Sequence, residues 1–265
     1  MDIEELRKKK EDTHLVNELY RIFNEDARLS RSKSARVEFL TTVRYIEKYL
    51  KPGAVILDIG AGAGAYSLYL AGLGYRVDAL ELADRNIEFF QSKMQKNMDI
   101  RLFQGNALDL SAFDDDSYDI VLLMGPLYHL RQASDRKKAM DEAKRVCKKD
   151  GVIFFTFINH DMVFLTELMY NPRYFKTGDY NRETMRLSDF PFVFFTVDES
   201  KRMLLENGIT LLHAVAQDGA SELMEERIDA MDDDEYAQYL KYHAMICEKP
   251  EFLGMSNHLL YIGRK

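Results

Sequence analysis

A run of alternating glycines joins a short apolar stretch to an apolar helical segment. Residues 56–70 read ILDIGAGAGAYSLYL, with Gly60, Gly62 and Gly64 separated by alanines. Strand, tight glycine turn and helix N-terminus is the order in which backbone groups bind a nucleotide-like ligand. Glycine also lets the main chain turn sharply and approach a ligand without a Cβ in the way. We therefore expect these glycines and Ala61 to form a ligand-binding loop.

The spacing of these glycines is not that of a dinucleotide site. The pattern G-x-G-x-x-G requires a third glycine at position 65 or 67, where Ala65 and Ser67 stand. Asp58 lies two residues before the first glycine, and a carboxylate there suits a ligand with positive charge better than a diphosphate. Asp58 could bind an amino group of the ligand directly or through water, or only hold the glycine loop through backbone N–H groups.

An acid closes the second predicted strand. Residues 76–80 read RVDAL, and Glu81 follows them 17 positions after Gly64. A carboxylate about 20 residues beyond such a turn is placed to accept hydrogen bonds from ribose hydroxyls. Leu82 beside it would then pack on the base ring. The alternative is that Glu81 is an ordinary surface acid at a strand end.

Taken together, these residues resemble the class I S-adenosylmethionine-dependent methyltransferases, whose cofactor carries an ammonium and a sulfonium. After the third predicted strand this chain has Gly-Asn-Ala, where the family usually has Gly-Asp-Ala. The resemblance implies that Asn106, followed by Ala107, meets the adenine amino group through its amide oxygen. It also implies that the carbonyl of Met124 or Gly125, after the fourth strand, takes the ligand ammonium. S-adenosylhomocysteine would be the product.

The segment 125–130, GPLYHL, is where we expect the acceptor chemistry. Family members that methylate nucleobase or glutamine amines often read Asp/Asn-Pro-Pro-Tyr/Phe here, and this chain lacks the polar leading residue. It also lacks a Pro-Cys nucleophile for attack on pyrimidine C5. His129 is our candidate general base for an acceptor hydroxyl or amine, and Tyr128 a wall of the site. A loop-packing histidine and a core aromatic are the alternatives.

Strand and helix patterns alternate around these motifs. They predict a doubly wound, mainly parallel sheet of seven strands, the Rossmann-like methyltransferase fold, with its last two strands antiparallel as in the family. Residues 1–50 are expected to form an N-terminal helical cap, and residues 51–265 the α/β domain. The domain would contain a lid insertion at about 159–195 and a helical insertion at about 221–250.

Several local boundaries also follow from the sequence. We expect the second helix over 35–50, a turn at 148–151 before a strand over 152–157, and Asp84 as the N-cap of a helix. Thr196 to Glu199 has the pattern of a capping box.

Aromatic residues crowd the predicted lid. Nine aromatic side chains fall within residues 159–195, interrupted by Pro172 and Pro191. Insertions at this edge of such a sheet usually shape the second-substrate pocket, so we expect a lid over an apolar acceptor site. Candidates to close the other side lie in the N-terminal segment: Tyr20, Arg28, Arg36 and Phe39.

Composition and charge argue against several other classes of protein. The net charge of −8 argues against non-specific binding to nucleic acid, and the basic run Arg7–Lys10 is followed by acids, as on a solvated helix face. Two cysteines with no ligand spacing, an isolated His160-Asp161 pair and acids at 232–235 do not make a metal site. Neither a signal peptide nor a membrane span is evident, so we expect a cytoplasmic protein.

The sequence therefore predicts an S-adenosylmethionine-dependent methyltransferase that acts on a small-molecule acceptor, without a metal. An NAD(P)-dependent oxidoreductase and a non-catalytic, cofactor-binding regulatory protein are the alternatives. The acceptor, the methylated atom and the oligomeric state do not follow from the sequence.

Overall fold

A computed structural model describes residues 12–265, so the basic run Arg7–Lys10 lies outside the described residues. The strands are β1 (Val55–Ile59), β2 (Arg76–Glu81), β3 (Ile100–Gln104), β4 (Tyr118–Leu123), β5 (Cys147–Asn159), β6 (Phe194–Phe195), β7 (Thr210–Ala216) and β8 (His258–Arg264). The helices of the described part are α1 (Asp12–Ile22), α2 (Lys33–Glu47), α3 (Ala65–Gly72), α4 (Asp84–Lys93), α5 (Pro126–His129), α6 (Ala133–Val146), α7 (His160–Tyr170), α8 (Tyr174–Thr177), α9 (Val197–Glu206), α10 (Glu225–Asp229), α11 (Asp233–Ile246) and α12 (Pro250–Leu253).

One mixed sheet carries all of these strands. Seven of them follow the order β3-β2-β1-β4-β5-β8-β7. Neighbours from β3 to β5 are parallel, whereas β8 is antiparallel to both β5 and β7. This confirms the predicted fold class and the antiparallel end. The chain leaves β1 first toward β2 and β3 and later returns to β4, which opens a crevice at the carboxyl ends of β1 and β4.

An eighth strand lies in the segment that the sequence assigned to the lid. The two-residue β6 pairs in parallel with the end of β5, where Phe194 lies opposite Ile158 and Phe195 opposite Asn159. The predicted count of seven strands is therefore correct for the continuous path and misses this short addition.

The core lies on both faces of the sheet. Phe154 and Phe155 are neighbours in β5, so their side chains point to opposite faces, and both are fully buried. Ile56 and Leu57 in β1 show the same arrangement. A mainly parallel sheet requires this, because its crossover helices cover both sides.

Local boundaries differ from the sequence in three places. Helix α2 begins at Lys33 with Ser32 as its N-cap, and α4 begins at Asp84 itself, with Ala83 in the N-cap position. The predicted turn at 148–151 belongs to β5, which begins at Cys147 and has an irregular register against β4. The capping box of Thr196 and Glu199 is confirmed, with both reciprocal hydrogen bonds formed.

The second N-terminal helix packs on the helical insertion. The backbone N–H of Ser34 donates to Asp229 Oδ1 at 2.8 Å, and Lys33 Nζ donates to the Met231 carbonyl at 2.7 Å. These bonds tie α2 to α10 and to the turn before α11. Among the described residues, no helix combines the length and the apolar character that a membrane span needs.

Candidate functional site

A cavity of about 820 Å³ lies at the carboxyl ends of β1 to β4. That volume is within the range of about 300–1,000 Å³ for small-molecule sites. One side of the cavity, the strand-end wall, consists of the loops after these four strands, within residues 58–66, 81–82, 105–108 and 124–130. The opposite side, the N-terminal wall, is formed by side chains within residues 12–39.

The strand-end wall brings together nearly all of the predicted site residues. Those that line the cavity are Asp58, Gly60, Ala61, Gly62, Glu81, Leu82, Asn106, Ala107, Met124, Gly125, Tyr128 and His129. Gly64 is the exception. It has a φ of +84° as the N-cap of α3, and a Cβ there would lie 2.5 Å from the buried ring of Phe90. Packing of α4 on the loop, rather than approach to a ligand, therefore requires this glycine.

Glu81 holds the glycine loop against the end of β2. Its Oε2 accepts a hydrogen bond of 2.7 Å from the Gly62 N–H, and its Oε1 accepts from the Ala83 N–H and Asn86 Nδ2. Burial raises the pKa of this carboxyl group, while the bonds from Ala83 and Gly62 act in the opposite direction. Oε2, which accepts one of these three bonds, retains lone-pair capacity for a ligand.

Asp58 is a buried carboxylate. The groups that shift its pKa include no cation. Its Oδ2 accepts a hydrogen bond of 2.7 Å from the Ser67 hydroxyl in α3. Burial raises its pKa to about 7, and the neighbouring Glu81 acts in the same direction. The N–H groups of Gly60 and Ala61 donate to the Leu80 carbonyl, so Asp58 does not hold those two amides.

Both ends of the Asn106 side-chain amide form hydrogen bonds. Its Oδ1 accepts from the Leu108 N–H at 3.0 Å, which shapes the turn after β3. Its Nδ2 donates to the Thr13 hydroxyl in α1 at 3.2 Å. A carboxylate could accept the first bond and could not donate the second. The amide therefore links the strand-end wall to the N-terminal wall.

His129 and Tyr128 lie in the one-turn helix α5, directly after β4. His129 Nε2 is 2.9 Å from the Tyr20 hydroxyl, and both rings line the cavity. Burial lowers the pKa of His129 to about 4, so its imidazole is neutral at pH 7. Burial raises the pKa of Tyr128, which keeps its hydroxyl protonated. Phe192 packs edge-on against both rings.

The four N-terminal candidates all line the cavity, as predicted. Arg28 Nε donates to Glu25 Oε1 at 2.8 Å, and its Nη1 donates to Glu38 Oε2 at 2.6 Å. The ring of Phe39 stacks on Tyr66 with centroids 5.4 Å apart.

The predicted aromatic lid does not line the cavity, and this corrects our interpretation of 159–195. None of its residues belongs to either wall. Phe164 packs on Tyr174 and Tyr180 within the segment, and Phe192 packs on the rings of Tyr128 and His129 without lining the cavity itself. The pairing of β6 with β5 and a bond from the Val193 N–H to the Tyr128 carbonyl hold the segment behind α5. The N-terminal segment occupies the place that we assigned to it.

Several contacts between the N-terminal wall and the α/β domain were not predicted from the sequence. Asn17 Oδ1 accepts from the Asp84 N–H at 3.1 Å, Asp12 Oδ2 accepts from the Arg131 N–H at 2.9 Å, and Asp26 pairs with Lys93 at 2.5 Å. These partners are 67, 119 and 67 positions apart. No local pattern relates residues at such separations, so the sequence offered no sign of them.

A charge cluster behind the N-terminal wall was also unexpected. His258 Nδ1 lies 2.7 Å from Asp218 Oδ2 and 3.5 Å from Glu38 Oε2. The three residues form the one group in the described part of the chain whose ligand atoms are close enough for a metal ion. Arg28 already binds the Glu38 carboxylate. Burial acts to lower the pKa of His258, but Glu38 and Asp218 together outweigh it and raise that pKa to about 9. A network of ion pairs accounts for this arrangement.

Comparisons with known proteins agree with this geometry. Residues 57–155 match a family model described as a methyltransferase domain. A sarcosine/dimethylglycine N-methyltransferase of Aphanothece halophytica is 34% identical over 113 residues, 39% of this chain and 38% of that protein. A demethylmenaquinone methyltransferase of Clavibacter sepedonicus is 34% identical over 101 residues, 38% of this chain and 40% of that protein. The match thus covers less than half the length of each relative.

A solved structure shares the fold over almost the whole chain. The PH0226 protein of Pyrococcus horikoshii superposes with a TM-score of 0.60 at 16% identity, over 93% of this chain and 98% of that one. The matched family model and relatives make residues 57–155 a methyltransferase domain, and the groups on the strand-end wall fit S-adenosylmethionine as its cofactor.

Proposed function

We propose that the protein transfers a methyl group from S-adenosylmethionine to a small-molecule acceptor. The observation that carries the proposal is the single cavity in which the two walls meet. The strand-end wall supplies the groups expected for the cofactor, and the N-terminal wall leaves a second set of side chains for an acceptor. An acceptor must fit between these walls, which favours a small molecule.

The strand-end wall suits a cationic cofactor. Asp58 and Glu81 are both buried, and the electrostatic neighbour that acts on Asp58 is the other carboxylate. A positively charged ligand would offset the repulsion between these two carboxylates. In our proposal Glu81 binds the ribose hydroxyls, Asn106 with Leu82 and Ala107 holds the adenine, and Asp58 with the carbonyl of Met124 or Gly125 faces the ammonium. When bound, S-adenosylmethionine supplies a methyl group that the sulfonium has already activated.

The residues around α5 would handle the proton of the acceptor. His129 is neutral at pH 7, so its Nε2 can accept a hydrogen bond from Tyr20, whose own oxygen can then accept one from an acceptor hydroxyl or amine. We propose His129 as the general base through this pair. A conjugate-acid pKa of about 4 makes it a weak base, so most of the rate would come from alignment of the reactants.

Residues 1–50 complete the proposal as a cap on the α/β domain of 51–265. The described part of this cap contacts the loops after β2, β3 and β4 through Asn17, Thr13 and Asp12. Two relatives point in the same direction, because their names identify small acceptors: sarcosine and dimethylglycine for one, demethylmenaquinone for the other.

Two measurements test the proposed function. S-adenosylhomocysteine should raise the thermal unfolding midpoint, and NADH should not; stabilisation by NADH alone would favour the oxidoreductase alternative. Incubation with S-adenosylmethionine and mixed small amines, phenols and thiols should then form S-adenosylhomocysteine, detected by mass spectrometry. Cofactor binding without turnover on any acceptor would favour the non-catalytic alternative.

The role of His129 is tested separately, with whichever acceptor turns over. His129→Gln keeps a hydrogen-bond acceptor for Tyr20 and removes the base. We expect kcat to fall about 100-fold, while the dissociation constant of S-adenosylhomocysteine changes less than threefold. His129→Ala should behave in the same way, and an unchanged kcat in both variants would remove the base.

A further inference from the structure

We propose that the acceptor is an amine, held between the Glu25 carboxylate and the tyrosine side chains of the cavity. This inference rests on the proposed function and narrows it to one class of acceptor.

Acidic side chains outnumber basic ones around the cavity. The six acids that line the cavity are Asp12, Glu25, Asp26, Asp58, Glu81 and Asp135. The three basic residues are Arg28, Arg36 and Lys93. Two of the acids are paired, Asp26 with Lys93 and Asp12 with Arg131, and Arg36 is exposed. The four remaining acids still outnumber Arg28 and Arg36. A cleft lined by one sign of charge concentrates ligands of the opposite sign, so the cavity favours a cation.

The positive charge of Arg28 does not offset the excess of acidic side chains around the cavity. One guanidinium is bound by two carboxylates, Glu25 at 2.8 Å and Glu38 at 2.6 Å. Behind them, the His258 imidazole faces Glu38 and Asp218. With His258 protonated, the cluster contains two cations and three anions. A carboxylate or phosphate acceptor would therefore meet a wall that is already negative.

Glu25 lies next to the cofactor loop. Its Cγ is 3.3 Å from the place that a Cβ on Gly62 would occupy, and Gly62 faces the cavity. The Glu25 carboxylate consequently borders both the region expected for the cofactor and the region between the walls. This is the position from which a carboxylate can hold an ammonium beside the methyl donor.

The aromatic residues of the site suit the same ligand. The Tyr66 hydroxyl is buried and has no hydrogen-bond partner of normal geometry within residues 12–265. Its neighbour Thr42 already donates to the Glu38 carbonyl and accepts from Gln217. The Tyr128 hydroxyl lies over the turn after β4, 3.8 Å from where a Gly125 Cβ would be. Aromatic faces and phenolic oxygens both attract ammonium groups.

The reaction balances with the cofactor and water alone. The bound ammonium first loses one proton to solvent, by way of Tyr20 and His129 or directly. The nitrogen lone pair then forms the new N–C bond as the C–S bond of the donor breaks. The bonding electron pair stays on sulfur, which becomes a neutral thioether, and the positive charge passes to the methylated nitrogen.

The test uses three probes of matched size: 2-phenylethylamine, 2-phenylethanol and 3-phenylpropionate. Each is titrated by calorimetry into the full-length protein saturated with S-adenosylhomocysteine. We expect the amine to bind at least tenfold more tightly than the other two, as for a close charge pair. Binding of the amine no tighter than that of the alcohol would overturn the inference and leave the proposed function intact. Failure of S-adenosylhomocysteine itself to bind would instead overturn the proposed function.

Two charge-matched variants locate the effect. Glu25→Gln should abolish most of the preference for the amine and keep an oxygen that can accept from Arg28. Glu88→Gln removes the same charge from an exposed position on α4, outside the cavity, and should keep the preference. Equal loss in both variants, or loss in neither, would contradict the role of Glu25.

Discussion

The two walls of the cavity are built on different principles. The strand-end wall is made of backbone turns and short-range contacts within parallel β/α units, such as the bond between Glu81 and the Gly62 N–H. The N-terminal wall contains local pairs such as Arg28 with Glu25. Its hydrogen bonds to the loops and helices after β2 to β4 instead join side chains to partners 67 or more positions away, as in Asn17 with Asp84 and Tyr20 with His129. Local residue spacing therefore predicts the strand-end wall, whereas the N-terminal wall forms only when the folded sheet brings distant residues together.

The largest expected effect breaks the strand-end wall at Gly64. In Gly64→Ala a Cβ would lie 2.5 Å from the Phe90 ring at a φ of +84°, so we expect a loss of about 3 kcal/mol in the free energy of unfolding. Gly74→Ala is the matched control, because Gly74 has a φ of +88° with open space around it. It should cost about 1 kcal/mol in urea unfolding. Equal losses would mean that the packing of Phe90 does not shape the loop.

A smaller effect is expected at Glu81, where the strand-end wall meets the cofactor. Glu81→Gln replaces one of the two charged oxygens that accept from Gly62, Ala83 and Asn86. Because hydrogen bonds to charged groups contribute about 1.5–3 kcal/mol, affinity for S-adenosylhomocysteine should fall about 30-fold in calorimetry. Glu88→Gln is the surface control and should bind normally. An unchanged affinity in Glu81→Gln would exclude the ribose contact.

Asp58 gives a pH-dependent test of the same wall. Its pKa of about 7 in the folded protein exceeds the unfolded value of 3.8, so the folded state binds the extra proton between these values. Stability should therefore fall as pH rises from about 4 through 7, and Asp58→Asn should lose this dependence. A bound ammonium favours the carboxylate, so S-adenosylhomocysteine binding should release protons at pH 6 and none at pH 8.5. Buffer-independent binding enthalpies at pH 6 would contradict this.

The smallest expected effect belongs to the N-terminal wall. Asn17→Ala removes the exposed hydrogen bond from the Asp84 N–H, worth about 0.5–1 kcal/mol, and a long local bond of 3.4 Å to the Thr13 carbonyl. We expect S-adenosylhomocysteine to dissociate about threefold faster in stopped-flow measurements, with little change in thermal stability. Asn24→Ala, which removes only a local bond to the Asp26 N–H, should match the wild type. Identical dissociation rates in both variants would show that this contact does not hold the cap.

Short spacing along the chain predicts which residues lie together at the strand ends. The glycine loop, Glu81 and the turn around Asn106 each lie at the end of a strand, and parallel strands bring their carboxyl ends to one edge. The prediction of a lid over residues 159–195 was wrong. The aromatic content of this segment correctly indicated burial, but it gave no information about which surface the segment covers. Phe164 and Tyr180 bury their rings against each other, not over the cavity.

By itself, the sequence determined the alternation of strands and helices, the glycine loop after β1 and the acids at the strand ends, because each depends on neighbours along the chain. Only the tertiary structure decided that Glu25 joins the predicted Tyr20 and Arg28 at the cavity and that His129 is buried enough to stay neutral. Burial and long-range pairing depend on how the whole chain packs around the sheet, and no residue spacing encodes that.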